Sequence, residues 1–221
     1  MDVRYFLGLR LSFIEQLYLT SAAPFIEKMR KIEAEEEPFI SPYSEDTEPA
    51  FLSEWLEAEE SLQVIGLTCI SMLSTSFHLY LKTWERRLGI PVNDSYKSAF
   101  KKGWFNGYKE YFKMQFNVIF EKSPCNLKLL EELVLARNRM QHPESITIQS
   151  SFYSPDDLNK LPSPFFMDDR DRELLSEMEE GERSWLLLAS IHVTEEKLRA
   201  AICEVSHFAE WLEQTDHRFV Y

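Results

Sequence analysis

A mainly α-helical bundle is the fold class this sequence predicts, and three observations predict it. Apolar residues recur at helical spacing through most of 2–37, 51–88, 126–142 and 194–214. Proline-containing breaks fall between these segments, at 38–50, 89–91, 123–124 and 155–164. Period-two alternation is confined to short stretches near the C-terminal end, at 146–149 and 185–193, which could pair as a small two-stranded ribbon. With 221 residues, 44% hydrophobic and 14% aromatic, the chain can bury a full core. Its length suits one domain over 1–221, carrying a loop-rich acidic insertion at about 149–184.

The first segment places Phe6, Leu9, Phe13, Ile14, Leu17, Phe25, Ile26 and Met29 at helical spacing. Pro24 either kinks a single helix there or opens a second one. The acidic residues 33–37 and Pro38 end the element. Residues 51–88 read as one long central helix or two joined end to end, with Gly66 the weak helix former inside. Residues 61–81 contain no Asp, Glu, Lys or Arg, the length of a membrane span, yet Gln63, Thr68, Ser71, Ser74, Thr75, Ser76 and His78 favour the buried centre of a bundle. His78 reads as a core or interface histidine.

Residues 95–121 interleave Lys97, Lys101, Lys102, Lys109 and Lys113 with seven aromatics from Phe100 to Phe116. Such a helix buries its rings and leaves its lysines outside, where Lys101, Lys102 and Lys109 can follow a phosphate backbone. Gly103 and Gly107, four apart, suggest close approach of a neighbouring helix. In the insertion, Asp168, Asp169 and Asp171 lack the glycine and closing glutamate of a calcium loop and read as a solvated acidic face, with room for one short helix between 168 and 182. Thr194 is a good N-cap for the final amphipathic helix.

Charge and cysteine content narrow the function classes. The formal charge of −13 argues against a protein that coats nucleic acid through bulk electrostatics, although residues 82–128 hold ten Lys and Arg against four Asp and Glu. Cys69, Cys125 and Cys203 have neither zinc nor disulfide spacing, and His192, His207 and His217 have no matching ligand spacing, so neither a metal nor another cofactor is expected. The first residues lack a basic, uninterrupted apolar leader, which points to a cytoplasmic protein.

Polar chemistry concentrates at the end of the 126–142 helix. Leu129, Leu133, Ala136 and Met140 form an apolar stripe, and the adjoining stripe Leu130, Val134, Arg137, Gln141 turns polar at its C-terminal end. Arg137 therefore lies at the edge of the buried face. Pro143 disfavours helical geometry at His142, freeing its ring to turn toward Arg137. A permanent cation and an imidazole that titrates near neutrality could then face one anion. The competing reading pairs Arg137 with Glu131 or Glu132 and uses Arg139 and His142 to complement the helix dipole.

The pattern Arg137-Asn138-x-x-x-His142 at the end of an apolar helix resembles the Arg-x4-6-His motif of the HEPN superfamily. The resemblance covers the core helices from about 51 to 142 and the final helix. It implies a helical bundle working as a homodimer, with a metal-independent endoribonuclease activity that leaves 2′,3′-cyclic phosphate and 5′-OH ends. On that resemblance Arg137, His142 and Asn138 are catalytic, Arg139, Gln141, Lys101, Lys102 and Lys109 bind RNA, and an antitoxin or regulatory protein is a possible partner, with no membrane. Position 144 is Glu where a tyrosine-modified subset of HEPN toxins has Tyr, so that control is not expected. The alternative is a non-catalytic helical interaction protein of the same fold. A nucleotide-binding regulator ranks last, for want of a glycine-rich phosphate loop.

Overall fold

The computed structural model describes residues 2–41, 48–142, 151–177 and 189–215. Helix α1 runs unbroken from Val3–Glu33. The Asp2 carboxylate caps it by accepting from the Tyr5 N–H at 2.7 Å. Pro24 lies inside this one helix, which resolves the question of one element or two. Beyond the prolines, α2 spans Leu52–Leu88 as a single 37-residue helix. Gly89 ends it in the left-handed region, at φ 70°, where glycine meets no Cβ penalty. The two long helices pack along each other, and α2 also touches α5 and α8.

The expected 95–121 helix is broken into pieces. Residues Asp94–Tyr96 form a 3-10 turn, α3 covers Lys97–Phe100, and α4 begins only at Trp104 and runs Trp104–Phe116. Gly103 supplies the break, with φ 112° that side-chain-bearing residues rarely adopt. Close approach therefore occurs at Gly107 alone of the pair. A Cβ there would lie 2.3 Å from the Phe100 ring of α3, whereas Gly103 has open space.

Helix α5 covers Leu127–Gln141, capped by the Asn126 side chain on the Leu129 N–H. Two short helices follow, α6 at Pro155–Lys160 and α7 at Asp169–Glu177, where the sequence suggested one. Ser154 and Asp157 form a reciprocal capping box around Pro155, which stands in the first turn. Helix α8, Glu195–Thr215, starts with the Thr194 hydroxyl accepting from the Lys197 N–H, as its sequence predicts.

The core is continuous and aromatic. Phe77 of α2, Phe105 and Phe112 of α4, Phe120 of the 3-10 turn Phe120–Lys122 and Phe208 of α8 are fully buried, and Phe120 meets Phe208 at 4.9 Å edge to face. Leu129, Leu130, Leu133 and Ala136 of α5 join them. One helix among the described residues, α2, is long and apolar enough to cross a membrane, and 56% of its apolar window is buried within the fold.

No strand forms among the described residues. Ser190 and Ile191 instead make two single antiparallel bridges, to Phe152 and Met167. The 146–149 strand expected to partner them, Pro143, Glu144, His217 and positions 185–188 lie outside the described residues. What holds the post-α5 region to the bundle is a buried carboxylate. Glu132 of α5 accepts from the Tyr153 hydroxyl at 2.6 Å and from the Phe165 and Phe166 N–H groups at 2.7 Å each. The acidic triplet is also more than a solvated face. Asp168 pairs with His192 at 2.8 Å, Asp171 accepts from both Ser190 donors, and only Asp169 is largely exposed.

Candidate functional site

Helix α5 ends where the sequence predicts. His142 is its C-cap, with non-helical φ −126° and ψ 66°, while its N–H still reaches the Asn138 carbonyl at 3.1 Å. Arg137, Asn138 and Arg139 are half-buried; Gln141 and His142 are exposed.

The carboxylates that could have neutralised Arg137 are already engaged. Glu131 accepts from Lys109 at 3.1 Å, and Glu132 is buried among the donors of Tyr153, Phe165 and Phe166. Arg139 faces the other way, donating to Asp157 at 2.7 Å and to the Ser154 hydroxyl at 2.6 Å. Arg137 is left with one hydrogen bond, from Nη1 to Asn138 Oδ1 at 3.0 Å, and no ion pair among the described residues. Asn138 thus orients the guanidinium, and no hydrogen bond joins Arg137 to His142. The salt-bridge alternative for Arg137 is not the one the fold adopts.

Arg137 is thus half-buried with no carboxylate against it among the described residues, in a chain of net charge −13. Its planar fork suits a phosphate or carboxylate in particular. Among the described residues no group of three metal-ligand side chains comes together.

The neighbourhood includes a residue that sequence reading assigned to packing. His78 of α2 is half-buried and stacks on Trp104 at 4.6 Å with only 14° between the rings, with Tyr108 edge-on at 5.9 Å. Burial, followed by the nearby charges of Lys82 and Arg137, holds the His78 imidazole below its ordinary pKa, so the ring is neutral at neutral pH. Glu85, two turns further, is occupied by the Tyr108 hydroxyl at 2.8 Å and the Val92 N–H at 3.2 Å. On α2 the polar residues Ser71, Ser74, His78, Lys82 and Glu85 recur three and four apart, a line the sequence displays.

The expected RNA-binding lysines divide. Lys101 and Lys102 are exposed in the turn just before Trp104. Lys109 bridges Glu121 and Glu131, each at 3.1 Å. Burial works against its charge, but the two carboxylates outweigh that and raise its pKa, so it braces α4 against α5. The rings interleaved with the lysines are mostly core, Trp104 and Phe100 being the ones partly open.

Comparison with protein-family models, curated proteins and solved structures finds no match to this chain. Architecture and local geometry therefore carry the functional reading.

Proposed function

We propose that the chain is a HEPN-like, metal-independent endoribonuclease acting as a homodimer. The observation that carries this reading is Arg137, half-buried, oriented by Asn138 and lacking a carboxylate among the described residues, five residues before an exposed His142 at the helix end. In the proposed reaction the ribose 2′-oxygen bonds to phosphorus while the P–O5′ bond breaks. His142 assists the proton transfer that accompanies attack, the leaving 5′-oxygen takes up a proton, and Arg137 balances the charge that develops on the phosphoryl oxygens. The exposed pair Lys101 and Lys102 would guide the strand electrostatically.

Cleavage of a labelled mixed-sequence RNA in EDTA tests the reading. Wild type is expected to leave cyclic-phosphate and 5′-OH ends, and His142→Ala and Arg137→Ala to lose about 10²-fold or more in rate. Intact RNA with wild type, or equal cutting by both variants, removes these residues as catalysts.

One observation favours a second reading, a helical interaction protein. Helix α1 exposes Tyr5, Phe6, Leu9 and Phe13 at 50–59% beside a groove of about 310 Å³ that Met72 and Ser76 of α2 help to line. Under that reading the strip binds a regulatory or other protein partner, and the RNA assay returns no products.

A further inference from the structure

Counted one residue type at a time, the cysteines and histidines show no metal spacing. Counted together, Cys203-x-x-x-His207 is the i, i+4 spacing that sets two side chains one above the other on a helix. Helix α8 realises that placement: Val205, Phe208, Ala209 and Leu212 take its buried face, and Cys203 and His207 share the exposed one. The Cys203 Sγ lies 3.6 Å from His207 Nε2 and 3.8 Å from Nδ1. A tetrahedral zinc, with Zn–S about 2.3 Å and Zn–N about 2.0–2.1 Å, holds its sulfur and nitrogen about 3.5 Å apart. The two donors therefore stand at the bite distance of that ion. The χ2 torsion of histidine is broad, so the exposed ring can turn an edge to the metal with the helix in place.

We propose that Cys203 and His207 are half of a structural zinc site, completed by the same two residues of a second copy of the chain. Sulfur and imidazole donors suit zinc rather than calcium or magnesium, which take oxygen. A structural zinc takes four protein ligands, and among the described residues no third His, Cys, Asp or Glu joins the pair. The adjoining carboxylates of α8 are committed elsewhere, Glu204 to the Asn126 N–H at 3.0 Å and Glu210 to Arg4 at 3.7 Å. Both donors lie on an outer face, so a two-fold axis through the metal brings in the second pair and fills the tetrahedron as two cysteines and two histidines. Each thiol releases one proton to solvent on binding, and the two thiolates balance the charge of the ion. Two acidic chains are thus joined without a net charge at the joint. None of these residues takes part in the proposed cleavage, so the two readings stand independently.

The test titrates the full chain, kept reduced, with cobalt(II) as a spectroscopic stand-in and then with zinc. Cobalt is expected to give the strong visible bands of a tetrahedral ion together with a thiolate charge-transfer band, to saturate at one ion per two chains, and to be displaced by zinc. In sedimentation equilibrium the zinc-loaded species should contain an even number of chains. Cys203→Ser and His207→Ala should each abolish the cobalt bands and weaken zinc binding by about 100-fold or more, at least what losing an outer-shell partner of a metal site costs. Both side chains are exposed, so neither substitution threatens the fold. Absence of the tetrahedral thiolate spectrum, or its survival in both variants, overturns the site. Saturation at one ion per chain, or a zinc-loaded monomer, overturns its completion by a second copy.

Discussion

Arg139 commits its guanidinium to Asp157 and Ser154, whereas Arg137, two residues earlier on the same helix, hydrogen-bonds among the described residues to the neighbouring Asn138 alone. Stability should therefore separate the two. Arg139→Ala leaves the buried Asp157 without its cation and is expected to cost about 1–3 kcal/mol. Arg137→Ala breaks no ion pair among the described residues and is expected to stay within about 1 kcal/mol of wild type. Since about 1 kcal/mol moves Tm by roughly 2–4 °C in a chain of this size, calorimetry of the two variants resolves the difference. Equal losses would make Arg137 a structural residue. The position of Arg137 at the buried edge was readable from helical spacing, and so was the departure of His142 from the helix before Pro143. The partners of Arg139 were not readable, because Asp157 lies 18 residues away across a stretch with no helical periodicity to fix its position. His78, read from the sequence as a core or interface histidine, stands half-buried against Trp104, a partner 26 residues away that the sequence did not name.

Among the elements, α2 decides most of the architecture, and two helix-interior glycines show how tightly it is held. A Cβ at Gly66 would lie 2.8 Å from the Val193 Cβ and from the Val193 carbonyl oxygen, while one at Gly8 of α1 has nothing within 4 Å. Alanine is the better helix former at both positions by roughly 1 kcal/mol. Gly8→Ala should thus stabilise by up to about 1 kcal/mol, and Gly66→Ala should destabilise by about 1–3 kcal/mol because backbone, not a flexible side-chain end, has to move. Denaturant unfolding of both variants checks the pair, and a stabilising Gly66→Ala would contradict the packing of α2 on the segment before α8. The sequence marked Gly66 as weak for a helix, but its reason for being there belongs to a residue 127 positions later.

A second contact between elements carries a pH signature. Glu213 of α8 accepts from the Tyr80 hydroxyl of α2 at 3.3 Å and pairs with Arg4 of α1 at 3.3 Å. Burial raises its pKa above the ordinary carboxylate value, and Arg4 and Tyr80 only partly oppose this. A raised folded-state pKa means that the folded chain holds this proton more firmly than the unfolded one. Its stabilising contribution is then complete below the ordinary carboxylate pKa and is lost as pH rises through the raised value. Glu213→Gln, which imitates the protonated acid, should therefore gain stability relative to wild type between about pH 4 and about pH 7. Thermal melts across that range check it, and a gap independent of pH would show that burial does not dominate at Glu213.

At the scale of the whole molecule, the long helices were legible because each buries a stripe at helical period, and the 95–121 segment was not because its glycines were read as packing sites when one of them is a break. The same scale bears on assembly. Phe6 and Phe13 line the α1 groove together with Met72, and Leu79 lines its continuation. Leu79 is itself 41% exposed and adjoins His78 in the chain, with the exposed Lys82 one turn further on. Leu79 and His78 are successive residues of α2, so the groove side and the Trp104 side of that helix lie about 100° apart around its axis. A second copy seated on the strip would stand beside the polar site, as the proposed dimeric nuclease requires. Phe6→Asp combined with Phe13→Asp should convert a dimer to monomer in sedimentation equilibrium while shifting Tm little, because both rings are already at least half exposed. If the cleft is shared, cleavage falls along with the dimer. A double variant that stays dimeric would place the contact elsewhere, and one that becomes monomeric yet cuts RNA at the wild-type rate would show that a single chain holds the complete site.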